Sequence, residues 1–129
     1  MKNIFKKGDE KTCRRIVSFD DAAAFQGVVV HPVCSTFSLA REIEWTSRQF
    51  VLEMCEKDEE GIGTFLSIDH KGPAFVGEEL VISACVEQIT INELSCSYKV
   101  KVEDRLIAFG KTGQKIFKRE VIDKIFRKV

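Results

Sequence analysis

The sequence predicts an α+β fold in which one long helix lies along one face of an antiparallel sheet. Three observations predict it. A span from about Phe37 to Lys57 holds no proline or glycine, and its apolar residues recur at helical spacing. Nearly everything after that span alternates with the two-residue period of strands. Hydrophobic residues make up 44% of the 129 positions, enough for one core in a chain of single-domain length.

Taken in order, Thr12 to Ser18 alternate weakly and predict a first strand. Asp20 predicts the N-cap of a short helical turn through Ala22, Ala23, Ala24 and Phe25, ended by Gly27. Val28, Val29 and Val30 are β-branched and lead into His31 and Pro32, a short extended run that the proline closes. In the long helix, Leu39, Ile43, Phe50 and Met54 form one stripe, and Phe37, Ala40, Ser47, Val51 and Cys55 widen it. Arg41, Glu42, Gln49, Glu53 and Glu56 fall largely opposite. The acidic run from Glu56 to Glu60, closed by Gly61, is its exit loop.

In the next strand, Ile62, Thr64, Leu66, Ile68 and His70 are expected on one face, with Gly63, Phe65, Ser67 and Asp69 on the other. Lys71-Gly72-Pro73 breaks it and Gly77 marks a further turn. Leu80, Ile82, Ala84 and Val86 alternate next. Leu94, Cys96, Tyr98, Val100 and Val102 form the cleanest alternation in the chain. Glu103-Asp104-Arg105 reads as a hairpin turn into Leu106 to Lys111, and Thr112-Gly113 is expected to separate that strand from Gln114 to Phe117. The last ten residues suggest a short amphipathic helix. A sheet with one covered face does not readily close on itself, so edge-to-edge pairing into a dimer is expected.

Twenty basic and 20 acidic residues give a formal net charge of zero, which argues against affinity built on covering phosphates. The basic ends, from Lys2 to Lys7 and from Lys124 to Lys128, read as solvated, so neither nucleic acid nor membrane is an expected partner. The five cysteines are widely spaced with no C-x-x-C pair, implying neither a disulfide framework nor a zinc site. With no signal-like N-terminus and no run of ~20 apolar residues, the chain reads as cytoplasmic.

Three polar residues stand out. Glu44 falls within the arc of Phe37, Ala40, Val51 and Cys55: either it lies at the edge and reaches solvent, Arg41 or Arg48, or it is a carboxylate held in an apolar site. His70 ends a strand on the face that meets the helix, as a satisfied structural group or as an acid–base partner converging on Glu44. Thr36 stands at the helix start, where it or Ser35 caps the first turn. Eight helical residues separate Thr36 from Glu44 by ~12 Å along the axis, so a substrate, a loop or a second subunit must bridge them. Cys34 beside His31 is a weaker nucleophile candidate.

These residues resemble those of a known family. Val28 through Cys34-Ser35-Thr36 to Arg41-Glu42-Ile43-Glu44-Trp45, and Gly61 through Ile68-Asp69-His70 followed by Pro73 and Gly77, resemble the hotdog-fold thioesterases of the fluoroacetyl-CoA thioesterase type. That family has a threonine, a glutamate eight residues later on the long helix, and a histidine at the end of the next strand; Thr36, Glu44 and His70 match. The similarity runs from about residue 12 to Phe117.

The resemblance implies a single hotdog domain over residues 1–129, with a long central helix wrapped by a curved antiparallel sheet of about five strands. It implies a dimer with joined sheets and hydrolysis of a small or short-chain acyl-CoA. Coenzyme A would be part of the substrate, with no separate cofactor and no metal. Glu44 would activate water or attack the carbonyl itself, His70 would serve as acid–base partner or thiolate stabiliser, and Thr36 would orient by hydrogen bonding. Backbone N–H groups near Phe37 and Ser38 would hold the oxyanion, with Gly77 and Lys115 also at the substrate. Phe37 replaces a proline frequent in the family, and Gln114-Lys115 replaces a His-x-Arg, which points to a general acyl-CoA thioesterase rather than one for a fluorinated group. The competing reading is a non-catalytic acyl-CoA-binding or sensor module on the same fold. A hotdog hydratase fits poorly, because Asp69 and His70 are adjacent and on opposite faces. Catalysis by the trio requires Glu44 and His70 to meet in one dry crevice.

Overall fold

Where the alternation is cleanest, the strands form as expected, and they carry the core. The structure, a computed structural model, describes residues 1–25 and 28–127; the side chains of Phe25, Val29 and Val30 lie outside that description, as do the expected helix stop at Gly27 and the last two residues. In chain order the elements are β1 (Glu10–Ile16), a 3-10 turn (Phe19–Asp21), β2 (Ala22–Phe25), β3 (Val28–Cys34), α1 (Thr36–Met54), β4 (Glu59–Leu66), β5 (Asp69–His70), β6 (Glu79–Ile89), β7 (Glu93–Val102), β8 (Arg105–Lys118) and α2 (Arg119–Arg127). The main sheet is antiparallel in the order β1-β6-β7-β8-β4, with β5 also on β8, while β2 and β3 form a separate two-stranded ribbon.

The α1 stripe of Leu39, Ile43, Phe50 and Met54 is fully buried against Leu80, Ile82, Ala84 and Val86 of β6 and the inward residues of β7. Ser35 caps the helix, its Oγ accepting from the Ser38 N–H at 3.0 Å. Phe37, expected to widen the stripe, is instead 78% exposed at the first turn. Among the described residues, no helix is long and apolar enough to cross a membrane.

The expected helical turn at 20–25 is a strand. Ser18, not Asp20, caps only the 3-10 turn, and Ala22 to Phe25 pair with β3. Alanine favours helix only weakly, and pairing with the β-branched run overrides it. Nor does Pro32 close β3. The register jumps from Ala22↔Cys34 to Ala23↔His31, so Pro32 sits in an irregularity where no ladder N–H is needed. Thr112-Gly113 does not break β8 either: Phe65 lies across Gly113, whose missing side chain makes room for it.

The correction that matters most for the site concerns β4. Its pairing with β8 skips Thr64, going from Gly63↔Gln114 to Phe65↔Gly113. This bulge reverses the alternation, because directly paired residues share a face. Gly61 and Gly63 therefore face α1 before the bulge, and Leu66 faces it after. An added Cβ on Gly61 would lie 2.2 Å from Val51 Cγ1. The two glycines let α1 approach the sheet closely; of the face expected for Ile62 through His70, Leu66, Ile68 and His70 stay on the core side, while Ile62 and Thr64 do not share it.

Candidate active site

The start of α1 and the end of β5 meet at two side chains. His70 pairs with Ala108 of β8, which turns its ring toward the helix. Thr36, the first residue of α1, places its Oγ1 3.0 Å from His70 Nδ1. With Ser35 supplying the cap, the Thr36 hydroxyl is available to the ring and fixes its orientation. Thr36 is exposed, His70 is half-buried, and both lie at the positive end of the helix dipole.

A buried charge cluster anchors that corner. Asp21, 2% exposed, accepts from the Ser18 N–H and from Arg15 Nη2 at 2.8 Å, and Arg15 also pairs with Glu42 of α1. Burial alone would push the Asp21 carboxyl up, but the bonds from Ser18 and Arg15 outweigh it and hold the group below the usual carboxylate range. The Asp21 carbonyl accepts the Ser35 N–H at 2.8 Å, which ties the cluster to the residue before Thr36. Cys34, 2% exposed, is not a poised nucleophile, because burial pushes its thiol up to about 11.

Glu44 lies two turns along α1, exposed in the single chain, with its carboxylate over Gly63: an added Cβ there would stand 3.1 Å from Oε1. The expected dry crevice shared by Glu44 and His70 is therefore not formed within one chain. Glu44 and the Thr36 that His70 touches are two stations, ~12 Å apart along the helix axis. Both stations lie on the free edge of the sheet, since β4 and β5 follow one another along β8.

Of the other candidates, Ser38 is buried and its N–H is already engaged by Ser35, which removes it as an oxyanion donor. Phe37 lines a cavity of about 590 Å³ beside Thr36, together with Ala22, Ala23, Ala24 and Arg41. Gly77, at φ +95°, lines a different cavity with Arg14 and Glu79. Lys115 pairs with Ile62 on the sheet face away from α1, seven residues along β8 from the partner of His70. Cavities of about 650 and 620 Å³ lie elsewhere, by Arg48 and Gly61 and on the outer sheet face. Among the described residues, no three His, Cys, Asp or Glu side chains cluster as metal ligands would.

Ser47, read from the sequence only as part of the helix stripe, and Gln114, read only as a departure from the family's His-x-Arg, meet beside Glu44. Gln114 faces α1 opposite Gly63 and donates from Nε2 to Ser47 Oγ at 2.9 Å, and Ser47 Oγ in turn donates to the Glu44 carbonyl at 3.2 Å. The available signal was a polar residue on the inward phase of a buried strand.

A family model described as fluoroacetyl-CoA-specific thioesterase matches residues 17–120. Among solved structures, a thioesterase superfamily member from Thermus thermophilus superposes with a TM-score of 0.92 at 25% identity, over 98% of this chain and 93% of that one. The fluoroacetyl-CoA thioesterase FlK gives 0.87 at 16% identity, over 96% of each chain. A 1,4-dihydroxy-2-naphthoyl-CoA thioesterase from Synechocystis gives 0.68 at 16%, over 85% of this chain and 83% of that one. No curated protein matches in sequence. The architecture is the hotdog fold, with a curled antiparallel sheet and a long helix.

Proposed function

We propose, from the premise that this chain belongs to the fluoroacetyl-CoA-specific thioesterase family and is a thioester hydrolase, that it hydrolyses a small or short-chain acyl-CoA with Thr36, Glu44 and His70. The observation that carries this reading is the 3.0 Å contact between Thr36 Oγ1 and His70 Nδ1, beside the cavity lined by Phe37 and the three alanines. Glu44 takes the proton of a water whose oxygen attacks the thioester carbonyl carbon. The tetrahedral intermediate collapses with rupture of the C–S bond, and His70, held by Thr36, stabilises and protonates the departing thiolate. The products are the free acid and coenzyme A. No further cofactor enters the scheme.

The two stations require a homodimer. Antiparallel pairing of two β4–β5 edges about a twofold axis near Leu66 and Ser67 sets Gly63 and Glu44 of one chain opposite His70 of the partner subunit. The edge offers Phe65, 56% exposed, for such pairing. A cytoplasmic setting, where acyl-CoA substrates occur and thiols stay reduced, suits the five free cysteines.

The test is a chromogenic thiol-release assay over a panel of acyl-CoAs, run beside Glu44→Ala and His70→Ala. Turnover of short acyl groups, lost in both variants while coenzyme A still binds, is the expected result. Tight acyl-CoA binding with no thiol release by the unmodified protein would overturn the proposal in favour of a binding module.

A further inference from the structure

The face of the sheet turned away from α1 carries its own cavity, of about 620 Å³, floored by the small side chains of Ser83, Cys85 and Ser97. Ladder pairing builds its walls. Lys99 stands between Ser83 of β6 and Phe109 of β8, and Ser97 stands between Cys85 and Lys111. Directly paired Cβ positions are about 5 Å apart, so the Phe109 ring and the two ammonium groups reach over one depression.

The chain is neutral as a whole, yet this half of the face is basic. Lys99 and Lys101 alternate along β7, and Lys111 and Lys115 lie on the same face of β8. The nearby carboxylates are engaged or distant: Asp69 pairs with Lys71, Glu87 accepts from Ser97 Oγ at 2.7 Å, and Glu10 lines the far end of the cavity on β1. Among the described residues, Lys99 and Lys111 have no carboxylate partner. Phe109 is 38% exposed. An exposed ring beside unpaired cations, above small residues, suits a flat base with phosphates attached: the base stacks and the phosphates meet the ammonium groups.

The cavity also abuts a break in the sheet edge. Ser67, which lines it, lies in the two-residue gap between β4 and β5. The Ser67 carbonyl accepts the Tyr98 hydroxyl at 2.7 Å, and the Lys111 N–H donates to Ser67 Oγ at 3.0 Å instead. Gly110 makes room for this arrangement, since an added Cβ would stand 2.1 Å from Ser67 O. The Ser67–Ile68 peptide is therefore turned out of the ladder, and the edge cannot pair regularly there. Just beyond it, Asp69 is opposite Phe109 on the cavity face, while His70 faces α1. Cavity and reacting residues thus lie on opposite faces of one broken edge.

We infer that this cavity holds the 3′-phospho-ADP end of the acyl-CoA, with adenine on Phe109 and phosphates on Lys99 and Lys111. The pantetheine arm then passes the break at Ser67 and carries the thioester to the α1 side. The inference rests on the thioesterase reading above.

The test compares acetyl-CoA with the acetyl thioester of N-acetylcysteamine, which keeps the reacting group and lacks the nucleotide. In Lys99→Gln/Lys111→Gln, KM for acetyl-CoA is expected to rise about tenfold with kcat within about twofold, while kcat/KM for the truncated thioester stays unchanged. Adenosine 3′,5′-bisphosphate is expected to compete with acetyl-CoA, and less strongly in the double variant. Lys6→Gln/Lys7→Gln, the same charge change away from the cavity, is expected to behave as wild type. An unchanged KM, an equal loss with the truncated thioester, or the same rise in the Lys6/Lys7 variant would overturn the inference. Bisphosphate binding that depends on Lys99 and Lys111 but does not compete with acetyl-CoA would overturn it too, in favour of a free-nucleotide site. If the wild type hydrolyses neither thioester, the hydrolytic reading fails, and calorimetric titration with coenzyme A decides the cavity alone. Binding weakened about tenfold in the double variant supports the site, and equal binding refutes it.

Discussion

Gly63 lies directly beneath the carboxylate of Glu44, so close that a methyl group on its Cα would stand 3.1 Å from Oε1. Gly61, two residues earlier, has the same relation to Val51, at 2.2 Å from Cγ1. The two contacts differ in what can yield. Glu44 is exposed and its carboxylate can move, whereas Val51 is fully buried. Gly63→Ala is therefore expected to keep its melting temperature within a few degrees and lose kcat, while Gly61→Ala loses about 1–3 kcal/mol of stability from overpacking. Thermal melts and initial rates on both proteins separate the effects; equal destabilisation by both would be inconsistent with this account.

The Thr36–His70 bond is expected to act through orientation. Thr36→Ser keeps a hydroxyl and near-normal turnover, whereas Thr36→Val, of the same shape, loses kcat on the order of tenfold to a hundredfold. Steady-state kinetics of the pair decide it, and equal rates for both would remove Thr36 from the mechanism.

Complementation addresses the division of the site between subunits. Glu44→Ala and His70→Ala homodimers are each inactive in the proposed scheme. Mixed and allowed to exchange, they form heterodimers with one intact site, and random exchange restores roughly a quarter of wild-type activity. Sites contained within single chains would restore none.

The Asp21 cluster sets an acid limit on stability. Because the folded state holds this carboxyl below its ordinary range, its contribution is complete above the ordinary carboxylate value and is lost as pH falls through the lowered folded value. Asp21→Asn should flatten the acid limb of a plot of melting temperature against pH. At neutral pH it should cost about 2–3 kcal/mol, less than the ~3–5 kcal/mol of a fully buried pair, because Arg15 is 35% exposed. An unchanged acid limb would show that other carboxyls govern it.

Much of the architecture was legible because its elements agree locally and globally. Leu80 through Val86 and Leu94 through Val102 alternate in sequence and are buried in that same alternation. The α1 stripe was legible for the same reason. The Thr64 bulge was not, since one skipped residue leaves the local pattern intact and is imposed by pairing with β8. Ala22 to Phe25 misled because alanine's helical preference is local and the partner strand is not. In the site, spacing singled out Thr36, Glu44 and His70, but it did not reveal that Thr36 and His70 touch across 34 positions while Glu44 stands apart. Gln114 showed only as a departure from the family's His-x-Arg, because its contact with Ser47, 67 positions away, is a property of the folded neighbours.

The link from Asp21 O to Ser35 N has a consequence for how this chain tolerates change. It clasps the ribbon of β2 and β3 at its base, so the ribbon is an ear closed by its own stem. Residues along the ear line the space beside Thr36, yet the helix start hangs from the clasp and not from the ear. In the proposed scheme, lengthening, trimming or reshaping the ear would alter which acyl groups fit while leaving the threonine and its imidazole in place. Substrate preference can in this way diverge among descendants of one scaffold without its chemistry having to be rebuilt.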